Sequence, residues 1–415
     1  MDLIIGAGVS GISFANFTNR DYAIIEREKE PGGYCRTIKR NGYVWDYSGH
    51  FFHFQHPDIE AYVCKNIRPD TLIHAKKHTQ IFYKGRYVDF PFQKNIHQLE
   101  KEEFIDCLYD LFATEDRTCS SFKEMVYTKL GKSIADKFLI PYNEKLYACD
   151  LNSLDMNAMG RFFPKVNKED VVLNFRAKND TSYNSNFTYP RGGAIEYITS
   201  LLSNIDSNKL YLNEELLSID VDKKIAITNK REIKYDHLIS TLPIVQLLQK
   251  CNMEYPSEVF TCNKVLVFNL GFDSKGDDVL NSWVYVPDKE YIFYRVGYYD
   301  NIMNTDRMSL YVEIGFPEHQ NLENEKFYLD RVINDLKKIG IVTTQNLVDY
   351  EVVLMDPAYV HIRKESMKEV IKQKALLANY DIYSIGRYGS WIYCSIEDNI
   401  IEAKELAERL NDSLK

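Results

Sequence analysis

The chain opens with "MDLIIGAGVSGIS", and this stretch restricts the fold more than anything that follows. Leu3 to Ile5 are apolar and β-prone, Gly6, Gly8 and Gly11 follow at G-x-G-x-x-G spacing, and Ile12 to Asn16 reads as an opening helix. A buried strand, a tight glycine turn and a helix N-terminus together present backbone N–H groups to a pyrophosphate. The spacing alone is weak evidence and needs a second strand ending in an acid. "DYAIIEREKEPGGYCRT" supplies it, with Tyr22 to Ile25 as strand and Glu26 at its carboxyl end. A carboxylate there accepts hydrogen bonds from adenosine ribose hydroxyls and repels a 2′-phosphate, so the expected resident dinucleotide is not NADP. Gly32 and Gly33 let the backbone pass close to a bound group, and Arg36 is placed to reach its pyrophosphate.

At 415 residues the chain is too long for one compact core. A net charge of −9 argues against a nucleic-acid surface. Eight scattered cysteines with no C-x-x-C pair fit reduced thiols in a cytoplasmic protein better than a disulfide frame, and no metal site is expected. No apolar run approaches a membrane span, and no targeting signal is visible. Thirty tyrosines read as ordinary core and surface, or as stacking platforms for a nucleotide or sugar.

Helical spacing runs through "KEEFIDCLYDLFA" and "SFKEMVYTKLGKSIADKFLIPYNEKLYA", with Ser120 or Ser121 as cap and Glu124 as capping-box partner. "KLYLNEELLSIDVDKKIAITN" reads as a strand pair turning at "DVDKK", and "YDHLISTLP" as a buried strand. Strands return in "KVLVFNLGF", "SWVYVP", "YIFYRVGYY" and "MSLYVEIGF", interrupted by the helix "EKFYLDRVINDLKKIG". The expected class is α/β: a discontinuous Rossmann-like dinucleotide-binding domain with a helical insert and an antiparallel-sheet substrate domain. Its expected limits are 1–85, 181–244 and 376–415 for the dinucleotide domain, 86–180 for the helices and 245–375 for the sheet.

The glycine loop, the ribose acid and "GGYCRT" together form the sequence pattern of the FAD-binding half of amine-oxidase-like flavoproteins. "DYSGHFFH", "VDFPFQKNI", "IPYNEKLYA", "FTYPRGG", "WVYVP…FYRV" and "GRYGSWIY" extend the likeness nearly end to end. In that order they resemble the UDP-galactopyranose mutases, the eukaryotic-type branch more than the short bacterial one. The resemblance implies FAD, active when reduced, with NADPH or NADH as reductant. It implies a nucleotide-sugar substrate whose pyranose and furanose forms interconvert after attack of the reduced flavin N5 on the anomeric carbon, with no net redox change. Such a cofactor carries the hard chemistry, and the protein supplies position and electrostatics.

The resemblance places Gly49 and His50 beside the flavin, Arg387 against FAD, and the backbone of Leu216 near its adenine. Arg295 is matched to a diphosphate clamp, with Trp283 and Tyr285 on the preceding strand. Tyr359 and Tyr393 match further tyrosines at the diphosphate, Phe90 and Gln93 match the base-binding region, and Asn143 of "IPYNEK" is a further substrate-binding candidate. There are departures. Thr188 stands where the family often has a second arginine, Ala158 where it has a tryptophan, and Val360 and His361 where prolines usually follow the tyrosine. Arg191 or Arg176 is the expected compensation for Thr188. Two other readings are carried: an amine-oxidase-like oxidoreductase and a flavin-binding protein without catalysis. The oligomeric state is left open.

Overall fold

The computed structural model describes residues 1–115, 117–164, 166–176 and 185–412. Its organising element is a parallel five-stranded sheet in the order Ile382–Ser384, His237–Ser240, Asp2–Ile5, Tyr22–Ile25 and Leu210–Tyr211. Asp2–Ile5 is central, pairing Asp2 with both Tyr22 and His237. It is buried on both faces, as its unbroken apolar run requires. Leu3 and Ile5 enter one core and Ile4 the other. Asp2 is fully buried and is held by Arg20 at 2.8 Å and His237 at 2.9 Å. The helix Val9–Phe17 leaves the glycine turn and packs on the final helix, Ile396–Asp412. The sequence pattern therefore forms the βαβ unit it predicts.

The second body is a seven-stranded sheet. Its order is Leu347–Met355, Asn263–Phe272, Ser309–Pro317, Arg295–Tyr298, Trp283–Tyr285, Thr79–Tyr83 and Arg86–Asp89. Two findings differ from the sequence reading. The sheet is mixed, because Trp283–Tyr285 runs parallel to Thr79–Tyr83. It also recruits those last two strands from far upstream of residue 245. A pairing between segments two hundred residues apart leaves no local signal. Strand alternation fixes what each face does. Leu310, Val312, Ile314 and Phe316 pack in the core with Tyr328, Val332 and Leu336 of the helix Glu325–Lys338. Tyr311 and Glu313, on the opposite face, turn toward the other body.

The helical segment holds Lys101–Phe112, Phe122–Ile134 and Ile140–Tyr147, with a π-helical turn at Ala135–Leu139. Ser121 is the cap: its Oγ accepts from the Glu124 N–H at 3.2 Å. The Glu124 carboxylate reaches back to Ser120 instead, at 2.8 Å to its N–H. Gly131, at φ +77°, breaks the second helix where a Cβ would lie 2.7 Å from the Asp110 backbone. The strand pair at "DVDKK" is Leu216–Asp220 with Ile225–Thr228. No helix among the described residues is long and apolar enough to cross a membrane.

Candidate active site

One cavity of about 1230 Å³ runs from the glycine turn to the inner face of the seven-stranded sheet. That exceeds the roughly 300–1,000 Å³ usual for one small ligand. Its first end is the cradle. Gly6, at φ +98°, turns so tightly that a Cβ there would lie 2.3 Å from Thr241 Oγ1. A Cβ on Gly11 would meet the Gly6 carbonyl oxygen at 2.0 Å, so the helix can start only where it does. Gly11 thus seats the helix and does not line the cavity, whereas Gly6, Gly8 and Gly33 do. A Cβ on Gly8 would stand 4.0 Å from the Cα of Gly33, in the space between the two loops. No side chain caps the helix Val9–Phe17. A glycine-lined helix N-terminus without a capping side chain fits a dinucleotide pyrophosphate.

Glu26 sits at the strand end, as expected. Its carboxylate accepts from the Ala7 N–H at 2.8 Å and the Glu28 N–H at 3.0 Å, which orients it into the cavity wall. Arg36 donates to the Gly33 carbonyl at 2.9 Å and lies 3.5 Å from Glu28. Leu216 lines the same end beside Glu214 and Glu215. These residues fit the adenosine diphosphate half of a flavin dinucleotide.

The far end is built by side chains from distant segments. Arg295 donates from Nε and Nη2 to both oxygens of Glu313, each at 2.7 Å, and the two residues are direct cross-strand partners. Glu313 is 1% exposed. It also accepts from the Ser48 hydroxyl. Ser48 has φ +101°, and its carbonyl lies 3.1 Å from His50 Nδ1. A carbonyl only accepts, so Nδ1 carries the proton and Nε2 is left as an acceptor. Burial pushes the His50 pKa down to about 4; the Ser48 carbonyl opposes this and Arg387 adds to it. The imidazole is therefore neutral across the ordinary range. Gly49 admits no larger residue, because a Cβ would lie 2.6 Å from the Tyr311 ring.

Arg387 has no carboxylate partner among the described residues. It donates to the Cys394 carbonyl at 3.3 Å, and its buried Nε has no partner. Its guanidinium lies 4.9 Å from the Tyr393 ring and 5.3 Å from Tyr359, which stack on each other at 5.9 Å. Burial pushes the Tyr393 phenol up to about 12 and raises Tyr359 and Tyr285 as well, so all three keep their protons and donate. Tyr285 packs edge-on to Tyr142 at 4.9 Å and against Phe90 at 5.3 Å. Asn143 donates from Nδ2 to Leu139 O at 2.7 Å, and its buried Oδ1 has no partner beside the cavity. Trp283 also lines this end.

Gln93 is not brought to the cavity. It is fully buried and donates to the Pro164 carbonyl at 2.8 Å, while its neighbours Pro91 and Lys94 line the wall. Thr188 and Ala158 are likewise buried away from the cavity. Arg191 and Arg176 do not compensate for Thr188: neither lines the cavity, and Arg191 donates to Met303 O at 2.6 Å. Two cavity arginines that the sequence reading missed are Arg27, at the cradle, and Arg161, paired with Asp398 at 2.7 Å. Glu313 was missed too. Its signal was a lone carboxylate in the apolar strand "SLYVEIGF", out of phase with Leu310, Val312 and Ile314. Among the described residues no cluster of His, Cys, Asp or Glu is arranged to hold a metal.

This architecture recurs in known proteins. The chain aligns with a crystal structure of reduced UDP-galactopyranose mutase at TM-score 0.91 and 24% identity, covering 99% of this chain and 95% of that one. It aligns with cyclohexylamine oxidase from Brevibacterium oxydans at TM-score 0.73 and 11% identity, covering 100% and 99% of the two chains. In sequence it is 22% identical over 172 residues to the chloroplastic protoporphyrinogen oxidase of Nicotiana tabacum, a match spanning 38% of this chain and 30% of that protein. The sequence model for flavin-containing amine oxidoreductases matches residues 15–361. With that match and the fold in agreement, the chain belongs to the flavin-containing amine oxidoreductase family.

Proposed function

We propose that this protein is an FAD-dependent mutase interconverting the pyranose and furanose forms of a UDP-sugar, UDP-galactose or a close relative. The observation that carries the reading is the far end of the cavity, where two guanidiniums and three protonated phenols converge on one space. Arg295 keeps Nη1 free of Glu313, and Arg387 brings a charge with no carboxylate against it. That set matches a diphosphate, whose several oxygens need donors and positive charge. A protonated amine would meet the Arg387 charge with no acid to offset it.

The glycine turn, Glu26 and Arg36 would hold FAD, which, reduced, would supply the nucleophilic chemistry at the anomeric carbon. The chain's own groups do the rest. Arg295 and Arg387 take up the charge of the leaving diphosphate and hold it for return. Tyr285, Tyr359 and Tyr393 fix its oxygens. His50 offers Nε2 as an acceptor at the flavin end of the chamber. Phe90 stacks on the base, and Asn143 selects it. Because Nδ2 is committed to Leu139 O, Oδ1 faces the ligand as an acceptor and pairs with the N3–H of uracil. Cytosine presents an acceptor there and is disfavoured. A reducing, cytoplasmic setting suits the chemistry, since all eight thiols are free.

The test is product analysis of UDP-galactofuranose incubated with dithionite-reduced and with oxidised protein. Conversion to the pyranose only after reduction, without stoichiometric oxygen uptake, is the expected result. Conversion by the oxidised protein in the absence of any reductant overturns it. A second reading, a true oxidoreductase, draws on the protoporphyrinogen oxidase match. Steady oxygen consumption with an oxidised product, and no furanose exchange, would establish that reading instead.

A further inference from the structure

Tyr142 and Asn143 of the family-like stretch "IPYNEK" line the cavity. Lys145 lies two residues beyond Asn143, and its surroundings are unusual. Its Nζ contacts Val286 O at 2.9 Å, Asp288 O at 2.8 Å, Tyr291 O at 2.8 Å, and the Phe293 carbonyl. All four oxygens come from the loop joining the strands Trp283–Tyr285 and Arg295–Tyr298. An ammonium has three N–H groups, and here four carbonyls converge on it. More oxygens than donors is the arrangement of a coordinated cation, in which carbonyl dipoles replace a hydration shell.

We propose that the Lys145 ammonium is a tethered stand-in for a monovalent cation, occupying a carbonyl cage that sets the position of the substrate-binding hairpin. Four dipoles aimed at one point repel one another unless a positive charge sits there. With the charge in place, the loop between Tyr285 and Arg295 has one shape. The cage also joins two walls of the cavity. Lys145 belongs to the helix that carries Tyr142 and Asn143, and the loop leads into Arg295. A separate contact seats the same helix on the sheet, since a Cβ on Gly315 of the strand Ser309–Pro317 would lie 2.2 Å from the Lys145 carbonyl oxygen. Lys145 is thus a positioning residue. It acts through Tyr285 and Arg295 and touches neither base nor phosphate.

Removing the side chain should leave a site that potassium or ammonium can fill. The experiment uses flavin-loaded wild type, Lys145→Ala and Lys145→Met, in potassium, ammonium and choline chlorides at matched ionic strength. Melting temperature and UDP affinity are read for each. Wild type should be indifferent to the cation. Lys145→Ala should melt lower and bind UDP about tenfold or more weakly in choline, and recover most of both losses in potassium or ammonium. Lys145→Met fills the cage with an uncharged stem and should recover neither. A lysine needed only for its aliphatic packing predicts the reverse: Met nearly normal, Ala impaired equally in all three salts. Either half of that result overturns the proposal. If Lys145→Ala is insoluble in every salt, Lys145→Met decides, since normal melting and UDP affinity in it refute the cage. The affinity arm rests on the nucleotide-sugar reading. The melting arm does not, so a protein that ignores UDP can still show potassium-specific recovery.

Discussion

The two ends of the cavity bind by different means. At the cradle, recognition is a property of the backbone: three glycines, an uncapped helix and a strand end, with Glu26 held by two main-chain N–H groups. At the sheet end it is a property of side chains drawn from residues 48 to 393, several of them charged and enclosed. The cradle is therefore sensitive first to added side-chain volume, the sheet end to loss of a charge or a donor as well. The contrast also separates what stabilises the fold from what binds. Glu26 is satisfied by main-chain N–H groups whether or not a ligand is present, whereas the uncapped helix start and the Arg387 Nε are left for one.

The largest expected effect tests the charge balance of the sheet end. Glu313→Gln leaves Arg295 enclosed without its counter-charge, which should cost about 3–5 kcal/mol. Urea unfolding is the measurement. The double variant Glu313→Leu/Arg295→Met removes both charges and should recover most of that stability while failing to bind UDP. A Glu313→Gln protein as stable as wild type would show that the pair contributes nothing to folding, and the contrast between the ends would fail there.

Next comes shape at the cradle. Gly11→Ala places a Cβ against the Gly6 carbonyl, which the helix start cannot move away from. Overpacking of this kind costs about 1–3 kcal/mol. The protein should purify with less than its full complement of flavin, read as the ratio of visible to protein absorbance. Gly85 offers the control: unlike the helical Gly11 it has positive φ, at +78°, yet nothing lies within 4 Å of a Cβ there. Gly85→Ala should keep its flavin.

The same contrast explains what could be read in the sequence. The cradle was legible because its parts lie within about forty residues and each has a conformational reason: positive φ at Gly6, close approach at Gly11, a strand end at Glu26. The sheet end was legible only where a motif carried it. Motifs singled out Arg295 and Tyr285, which both line the cavity, but not Glu313, because a lone carboxylate in an apolar strand does not say which residue it faces across the sheet. Gln93 shows the opposite error. It follows a strand that leads to the cavity, but the turn at Phe92–Lys94 rotates it inward onto Pro164. Thr188 was read as a lost ligand and is instead a buried strand residue bridged to Phe52.

A smaller effect, confined to binding, is expected at Arg387. Charge-assisted hydrogen bonds contribute roughly 1.5–3 kcal/mol each. Arg387→Met should therefore weaken UDP by about ten- to a hundredfold in calorimetric titration. Its melting temperature should hold or rise, because an enclosed charge without a carboxylate is being removed. A fall in stability with unchanged UDP affinity would move Arg387 from ligand binding to folding.

The smallest effect concerns His50, and it lies outside the usual assay range. Burial holds its folded pKa near 4, below the ordinary 6.5 of an exposed imidazole. Between those values the unfolded chain binds more protons than the folded one, so stability rises with pH across that window and is lost as pH falls through it. Above pH 6.5 the group contributes no slope. His53, pushed down to about 4, and His361 are lowered by burial as well and add slopes of the same sign, so the three must be separated by variants. His50→Gln keeps a donor for the Ser48 carbonyl and cannot titrate. It should flatten part of the acid limb of a melting-temperature profile and leave the profile above pH 6.5 unchanged. Ring proton shifts of wild type should titrate with a midpoint near 4. A midpoint near 6.5 would mean that water reaches the imidazole freely, and the sheet end would then be no more enclosed than the cradle.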